Sequence, residues 1–356
     1  MKFALFTTNL AGGGAEKALA KIGSGLAQRG HEVEFIVCED AGAYPPPPGC
    51  RFTALTQRAG HGWLGKRRLA WRLRRHLSGR NHALLVSTLP FADEVAQLAD
   101  LPRHACRIAN TLSAELARLP ADKASRRARR YRGLYGSRPL VAVSQGVAED
   151  MHQAFGVAAE RIRVIANPFD LDAIRREADE PCPQRPVEPY VIHVGRFAAQ
   201  KRHDLLLCAF AALDAARRLV LLTPPDPRLD ALIAQHGLAG RVSVAGFQAN
   251  PYPWLKGAEL LVLSSDHEGL PNVLIEALAC GTRVVSTDCP SGPREVLSGE
   301  LARWLVPCGN APALASAMQS ALAEPPPVES AVEAALEPYA ADHAMTAWEQ
   351  LAREIA

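Results

Sequence analysis

Two glutamates eight residues apart, Glu268 and Glu276, stand in the string Ser264-Ser265-Asp266-His267-Glu268-Gly269-Leu270-Pro271-Asn272-Val273-Leu274-Ile275-Glu276, closed by Ala279-Cys280-Gly281. The run before Ser264 is apolar, Gly269 and Pro271 mark a loop, and Asn272 opens a short helix that Gly281 ends. The amides of Gly269, Leu270, Pro271's successor Asn272, and Val273 then lie at a helix tip, where an anion is favoured. A carboxylate beside a bound diphosphate is repelled, so each glutamate must reach a neutral group, and hydroxyls suit it. A diphosphate with polyols at both ends is a nucleotide sugar. The structural alternative is that Glu276 only complements the helix dipole and Glu268 is a solvated loop residue.

A second constellation lies in Val191-Ile192-His193-Val194-Gly195-Arg196-Phe197, followed by Lys201. A strand delivers Gly195 and Arg196 to a loop and Lys201 enters the next helix. Departure of a nucleoside diphosphate builds negative charge, and two cations neutralise it when no metal does. A third lies in Asn9-Leu10-Ala11-Gly12-Gly13-Gly14-Ala15-Glu16-Lys17, where glycines let a backbone approach a ligand. Its rival is a dinucleotide fingerprint, with Glu39 and Asp40 ending the second strand. That fingerprint needs a third glycine, and Gly12-x-Gly14 is followed by Lys17, which leaves an NAD-dependent Rossmann enzyme as a weak alternative.

The elements that must carry these residues are parallel strands crossed by helices. Apolar runs near 2–8, 33–38, 83–88, 106–110, 139–144 and 162–166 alternate with helical patterns. The helix after the first run repeats apolar residues at Ala15, Ala18, Leu19, Ile22 and Leu26. After Asn167-Pro168 comes a charged stretch with Pro181, Pro183 and Pro186, and the pattern restarts near 190–195, 219–223, 241–245, 260–264, 283–287 and 303–306. The reading is an α/β protein of two Rossmann-like domains, residues 1–176 and 187–340. A last amphipathic helix, 341–356, carries Met345, Trp348, Leu351 and Ile355 on one face and is expected to pack back on the first domain. A chain of 356 residues exceeds what one core usually supports.

Composition narrows the class. The net charge of +3 hides an asymmetry: residues 1–180 carry 27 basic side chains against 18 acidic ones, and the remainder 13 against 19. The first half is thus expected to meet something anionic. The excess sits in segments 66–80 and 123–132. Leu69, Leu73 and Leu77 share a helical face there, and Trp71 is a residue type that settles at lipid headgroups. Such runs are either a solvated face or a dock for an anionic membrane surface or phosphorylated lipid-linked acceptor. No nucleic-acid module accompanies them, so nucleic acid is not an expected partner. The eight cysteines form no Cys-x-x-Cys pair and read as reduced. Neither a signal peptide nor a spanning apolar stretch is evident, so the expectation is a cytoplasmic protein, peripheral on the inner face of the cytoplasmic membrane if it docks there. Asp170-Leu171-Asp172 spells a metal motif but opens a helix, so capping is the expected role and no metal is expected.

Together these motifs resemble glycosyltransferase family 4, the retaining nucleotide-sugar enzymes of GT-B architecture. The resemblance rests on Gly13-Gly14-x-Glu16-Lys17, Gly30-His31-Glu32-Val33, Val141-Ala142-Val143-Ser144, Asn167-Pro168, Gly195-Arg196-Phe197 with Lys201, and the Glu-x7-Glu pair. It implies two domains facing a central cleft and a metal-independent hexosyl or N-acetylhexosaminyl transfer without any resident cofactor. By resemblance, Arg196 and Lys201 hold the diphosphate, Glu268 the transferred sugar, and Glu276 the ribose. The amides of Leu270 to Val273 support the diphosphate, and Gly195, Gly269, Pro271 and Phe247 complete the donor site. Gly13 and Gly14 line the donor and acceptor side. The catalytic residues so implied are Glu268, Arg196 and Lys201.

The segment Gly281 to Glu295 resembles members that build bacterial surface polysaccharide and lipopolysaccharide, many from UDP-sugars, which implies a UDP-sugar donor and a lipid-linked or glycan acceptor. Two positions depart from the family. Many relatives carry a histidine before the Asn at a first-domain strand end, where this chain has Ala109 before Asn110. The glycine turn after the second strand of the second domain is here Thr223-Pro224-Pro225-Asp226-Pro227. The missing histidine keeps open a non-catalytic scaffold of a polysaccharide assembly complex.

Overall fold

The computed structural model describes residues 1–11, 13–42 and 45–355. The chain divides into two compact units, Met1–Pro168 with Ala341–Ala356, and Phe169–Ala340. The helix Leu171–Glu177, placed with the first domain on sequence, belongs to the second. Its buried Ile174 packs it against helices Tyr252–Lys256 and Asn272–Ala279, whereas the proline stretch that follows merely leads into the next strand.

Among the described residues the first unit holds seven parallel strands: β1 (Lys2–Thr7), β2 (Glu32–Val37), β3 (Arg51–Ala54), β4 (Leu84–Thr88), β5 (His104–Ile108), β6 (Leu140–Ala142) and β7 (Ile162–Val164), in the order β3-β2-β1-β4-β5-β6-β7. Alternation along β1 explains the layering. Phe3 and Leu5 face helix Gly14–Gln28, and Ala4 and Phe6 face helices Trp63–Leu77 and Pro90–Ala99. A sheet covered on both faces has apolar strands throughout, which is why the runs read as continuous rather than alternating.

The final helix, Ala341–Glu354, joins this unit. Met345, Trp348 and Leu351 are buried in the same cluster as Leu19 and Ile22. Gly25 makes the approach possible, since a Cβ there would sit 2.6 Å from Met345 Sδ. Polar pins close the seam: Arg29 reaches Asp342 at 2.9 Å, and His31 reaches Glu349 at 2.9 Å. The sequence's expectation that this helix packs back on the first domain is met.

The second unit holds six parallel strands: β8 (Tyr190–Val194), β9 (Arg218–Leu222), β10 (Val242–Val244), β11 (Leu260–Leu263), β12 (Arg283–Thr287) and β13 (Leu305–Val306), in the order β10-β9-β8-β11-β12-β13. Leu206, Phe210, Leu314 and Met318 cover one face. The order reverses between β8 and β11, which pair directly at Leu260 with Val191 and Leu261 with Ile192. Ligands of open α/β sheets bind beyond the carboxyl ends of strands at such a reversal. β8 leads into Gly195 and β11 into Ser264, so the topology brings two of the three motifs to one place.

Candidate active site

The loop after β8 makes one 3-10 turn, Ala199–Lys201, and Arg202 then adopts a left-handed conformation (φ 49°) that redirects the chain into helix His203–Ala211. Gly195 lies beneath the stem of Lys201: a Cβ there would stand 3.4 Å from Lys201 Cε and from His193 Nε2. The loop after β11 is sewn to it. Asp266 N donates to Gln200 O at 2.9 Å, Gln200 Nε2 to His267 O at 2.5 Å, and Ser264 Oγ to Lys201 O at 2.7 Å. Arg202 adds an ion pair to Asp266 at 2.9 Å. Between the two loops, Lys201 Nζ donates to Glu268 Oε1 at 2.7 Å, with the side chains 20% and 9% exposed. A cation and a carboxylate drawn from loops 67 residues apart in sequence are therefore held in contact.

The loop after β12 forms a third wall. Glu268 N donates to Pro290 O at 3.2 Å. Gly292 has φ +98°, and a Cβ on it would lie 2.3 Å from Pro271 Cδ. Only glycine lets this segment lie against the Gly269–Pro271 loop.

Helix Asn272–Ala279 runs from that loop, and Gly281 (φ +77°) terminates it with Thr282 N bonded to Ala277 O. The structure narrows the row of amides expected at its tip. Asn272 N donates back to Leu270 O and Leu274 N to Pro271 O, both at 2.9 Å, because the turn tightens before the helix starts. Glu276 is buried at 8% exposure, with its charge close to the Tyr252 hydroxyl. Burial first, and the Glu276 charge second, push the Tyr252 hydroxyl above its ordinary range, so it stays a donor.

Beneath Lys201 two imidazoles are packed edge to face, His193 and His203, with ring centres 4.7 Å apart. Burial holds His193 well below its ordinary value and pulls His203 down to about 4, with Lys201 adding to both. Both are neutral at physiological pH, so neither imidazole adds positive charge beneath Lys201. His193 Nδ1 donates to Val262 O at 2.9 Å, a structural bond that ties β8 to β11.

Arg196 is exposed on the loop after Gly195. Phe247 lies beyond β10, at the sheet edge two strands from β8, and is 62% exposed. Asp226 caps helix Pro227–Gln235 through Arg228 N and bonds Arg228, which in turn stands 5.5 Å over the Phe197 ring. The proline turn in place of a glycine turn is thus a capped helix start. Asp170 also caps, accepting from Ala173 N at 2.8 Å.

In the first unit Gly13 is the N-cap of helix Gly14–Gln28 and Gly14 its first residue; Gly12 lies outside the described residues. The Glu16 carboxylate folds back over Gly13, where a Cβ would be 2.0 Å from it. Glu39, the acid of the rival dinucleotide reading, is bound instead to Asn9 Nδ2 at 3.0 Å and Ala59 N at 2.9 Å. Three residues of these regions went unnoticed in the sequence. Tyr252 hides in a proline-flanked turn, Gln200 in an ordinary loop, and Arg107 in an apolar strand. Arg107 is 1% exposed at the end of β5; it bonds Asn167 and Thr88, and the Glu16 charge favours its cationic form against burial.

The two parallel-sheet units and the loops at the β8–β11 reversal define a class, the two-domain α/β proteins of GT-B type. Two family descriptions match this chain: Glycosyltransferase Family 4 over residues 12–173 and Glycosyl transferases group 1 over residues 188–324. The chain belongs to these glycosyltransferases, its first unit carrying the family 4 domain and its second the group 1 domain.

Among curated relatives, an N-acetylgalactosamine-N,N'-diacetylbacillosaminyl-diphospho-undecaprenol 4-alpha-N-acetylgalactosaminyltransferase of Campylobacter jejuni is 35% identical over 47% of this chain and 46% of its own. A lipopolysaccharide 1,6-galactosyltransferase of Salmonella typhimurium is 31% identical over 45% of this chain and 47% of its own. The matched stretch thus spans about half the length of these relatives. Among solved structures, Anabaena HepE in complex with UDP and glucose aligns with TM-score 0.81 at 19% identity over 99% of this chain and 100% of its own. WaaG, a glycosyltransferase involved in lipopolysaccharide biosynthesis, aligns with TM-score 0.74 at 16% identity over 99% of each chain. At those identities the likeness speaks for the fold.

Proposed function

We propose that this chain is a retaining glycosyltransferase that moves a hexose or N-acetylhexosamine from a nucleoside diphosphate donor, a UDP-sugar in our reading, to a lipid-linked or lipopolysaccharide glycan. The observation that carries the reading is the Lys201–Glu268 contact of 2.7 Å in front of helix Asn272–Ala279. A sugar phosphate has an anionic end and a hydroxyl-bearing end, and this cation–carboxylate pair offers each a partner. Lys201 takes the phosphate and Glu268 accepts from the sugar hydroxyls. Arg196, exposed beside Gly195, is the second cation. Each such charge about 4 Å from the leaving oxygen contributes roughly 4 kcal/mol at an effective dielectric of 20, which is the work a metal would otherwise do.

Glu276, buried close to the Tyr252 hydroxyl, is the acceptor for ribose hydroxyls, and the exposed Phe247 offers a ring face to the base. In the reaction the acceptor oxygen bonds to the anomeric carbon as the bond from that carbon to the phosphate oxygen breaks. The acceptor proton passes to the departing diphosphate, so no nucleophile of the chain is required. The glycine loop at Gly13 and Gly14 is assigned to the donor and acceptor side. The names of the Campylobacter and Salmonella relatives support a lipid-linked or lipopolysaccharide acceptor, and the UDP in HepE supports the donor nucleotide. The inner face of the cytoplasmic membrane is the location that fits both substrates.

Thermal shift with UDP-, GDP-, ADP- and dTDP-sugars in EDTA tests this. One nucleotide class is expected to raise the melting temperature, and Glu276→Ala to abolish the rise. A response to NAD alone, or none to any sugar nucleotide without added metal, overturns the reading. Donor binding with no donor consumption supports the non-catalytic scaffold instead.

A further inference from the structure

Helix Trp63–Leu77 has two faces that the sequence does not separate. Leu69, Ala70, Leu73 and Leu77 are buried against the first sheet. The leucine stripe that looked available to a membrane is therefore part of the core. Leu64, Arg68, Trp71 and Arg75 follow at i, i+4, i+7 and i+11, one line along the opposite side. Leu64 is 73% exposed, Trp71 59% and Trp63 65%. Single exposed apolar residues are ordinary; three large ones within nine positions, set among arginines, are not. The tryptophans are already paired with guanidiniums, Arg67 at 5.0 Å over Trp63 and Arg75 at 5.3 Å over Trp71.

The helix holds no acidic residue. Its inward-leaning cations are engaged, Lys66 with Glu94 and Arg72 with Leu55 O, so Arg67, Arg68, Arg74 and Arg75 supply the outward charge. Glu94, on helix Pro90–Ala99, also binds Arg130 of helix Ala121–Tyr135. That shared carboxylate joins a second basic helix, with exposed Lys123, Arg127 and Arg129, to the same surface.

We propose that the outer face of helix Trp63–Leu77, extended by helix Ala121–Tyr135, docks on a bilayer of anionic lipid, with Trp63, Leu64 and Trp71 entering the headgroup layer and the arginines on lipid phosphates. A polyanion such as RNA satisfies the arginines but leaves Leu64 in water, whereas a bilayer takes both. The proposal rests on this surface alone, and its test uses no nucleotide sugar, so it stands or falls separately from the transferase reading.

The test is vesicle sedimentation of the full chain on phosphatidylcholine, with and without phosphatidylglycerol, at low and high salt. It is combined with quenching of tryptophan fluorescence by brominated lipid. Trp254, Trp304 and Trp348 are 3%, 5% and 0% exposed, so quenching reports Trp63 and Trp71. The wild type is expected to bind only the anionic vesicles and to be quenched. Replacing Arg68→Gln with Arg75→Gln is expected to weaken binding about 30-fold, from roughly fivefold per basic residue near an anionic leaflet. Leu64→Ser with Trp71→Ser is expected to keep salt-sensitive association while losing the part that survives high salt. All four positions are exposed, and an unchanged circular dichroism melt verifies that the variants fold. Absence of quenching on bound vesicles overturns the proposal. So does binding equal to wild type in both double variants, or capture of a single-stranded oligonucleotide under salt conditions where anionic vesicles are not bound.

Discussion

Lys201 and Arg196 differ in how firmly they are held, and that difference sets what each mutation should do. Lys201 is anchored by Glu268 and by the packing of Gly195 under its stem, while Arg196 projects from an exposed loop. In our reading, Lys201→Met lowers kcat by about 10²- to 10³-fold, the loss typical of one oxyanion donor, with KM for donor changed much less. Donor turnover within a few fold of wild type would remove Lys201 from the chemistry. The residue types that bear this argument were legible because Glu268 and Arg196 sit in loops beside glycine, where side chains are rarely spent on packing, and because Glu276 and Lys201 are charged residues in short segments that follow those loops. Tyr252 and Arg107 were not, since their surroundings are apolar in sequence and their polar contacts come from distant strands and helices. The direct Lys201–Glu268 contact was equally hidden, because a linear string says nothing of how two loops are sewn together. Of the helix-tip amides expected from Gly269 to Val273, Asn272 N turns back into its own loop, to Leu270 O, a local bond that the string alone does not reveal.

At the level of elements, alternation and apolar runs recovered every strand except β3, a four-residue edge strand whose side chains are only partly buried. Edge strands lack the double-sided burial that makes an apolar run stand out. Helix Trp63–Leu77 shows the converse: its leucines were visible, but which face was buried depended on tertiary packing. The final helix was read correctly because its apolar face is long and its period regular. Trp348, fully buried between helix Gly14–Gln28 and the sheet, is its main anchor. Trp348→Ala is expected to destabilise the first unit by about 3–5 kcal/mol, seen as an earlier first transition in a urea titration. An unchanged midpoint would mean that the helix adds no stability to this unit.

For the molecule as a whole, buried titratable groups set the response to acid. Burial pulls His104 down to about 3 and His203 to about 4 and holds His193 well below its ordinary range, whereas it raises Asp93, bonded to Ser87 and Tyr135, to about 7. An unfolded histidine protonates near pH 6.5, so below that the unfolded chain binds protons the folded one refuses, and stability falls toward pH 4 and below. Asp93 acts in the other direction. The folded state keeps its proton up to about pH 7 while the unfolded carboxyl releases it near 4, so Asp93 gains stability as pH drops through that window. These three histidines against one aspartate leave about two net protons, hence a loss of roughly 2 kcal/mol per pH unit between about pH 6 and 5, and His82, also lowered by burial, adds to the loss. Denaturation midpoints that do not move between pH 7 and 5 would show these side chains to be hydrated in solution. His104→Gln should flatten the slope by about one proton.

Because Ala341–Glu354 completes the core that Lys2–Thr7 begins, a ribosome must extend the chain past Glu354 before the first unit can close. The intervening domain has its own core and can mature on the nascent chain, leaving the apolar side of helix Gly14–Gln28 as the surface that chaperones must shield until that late helix emerges.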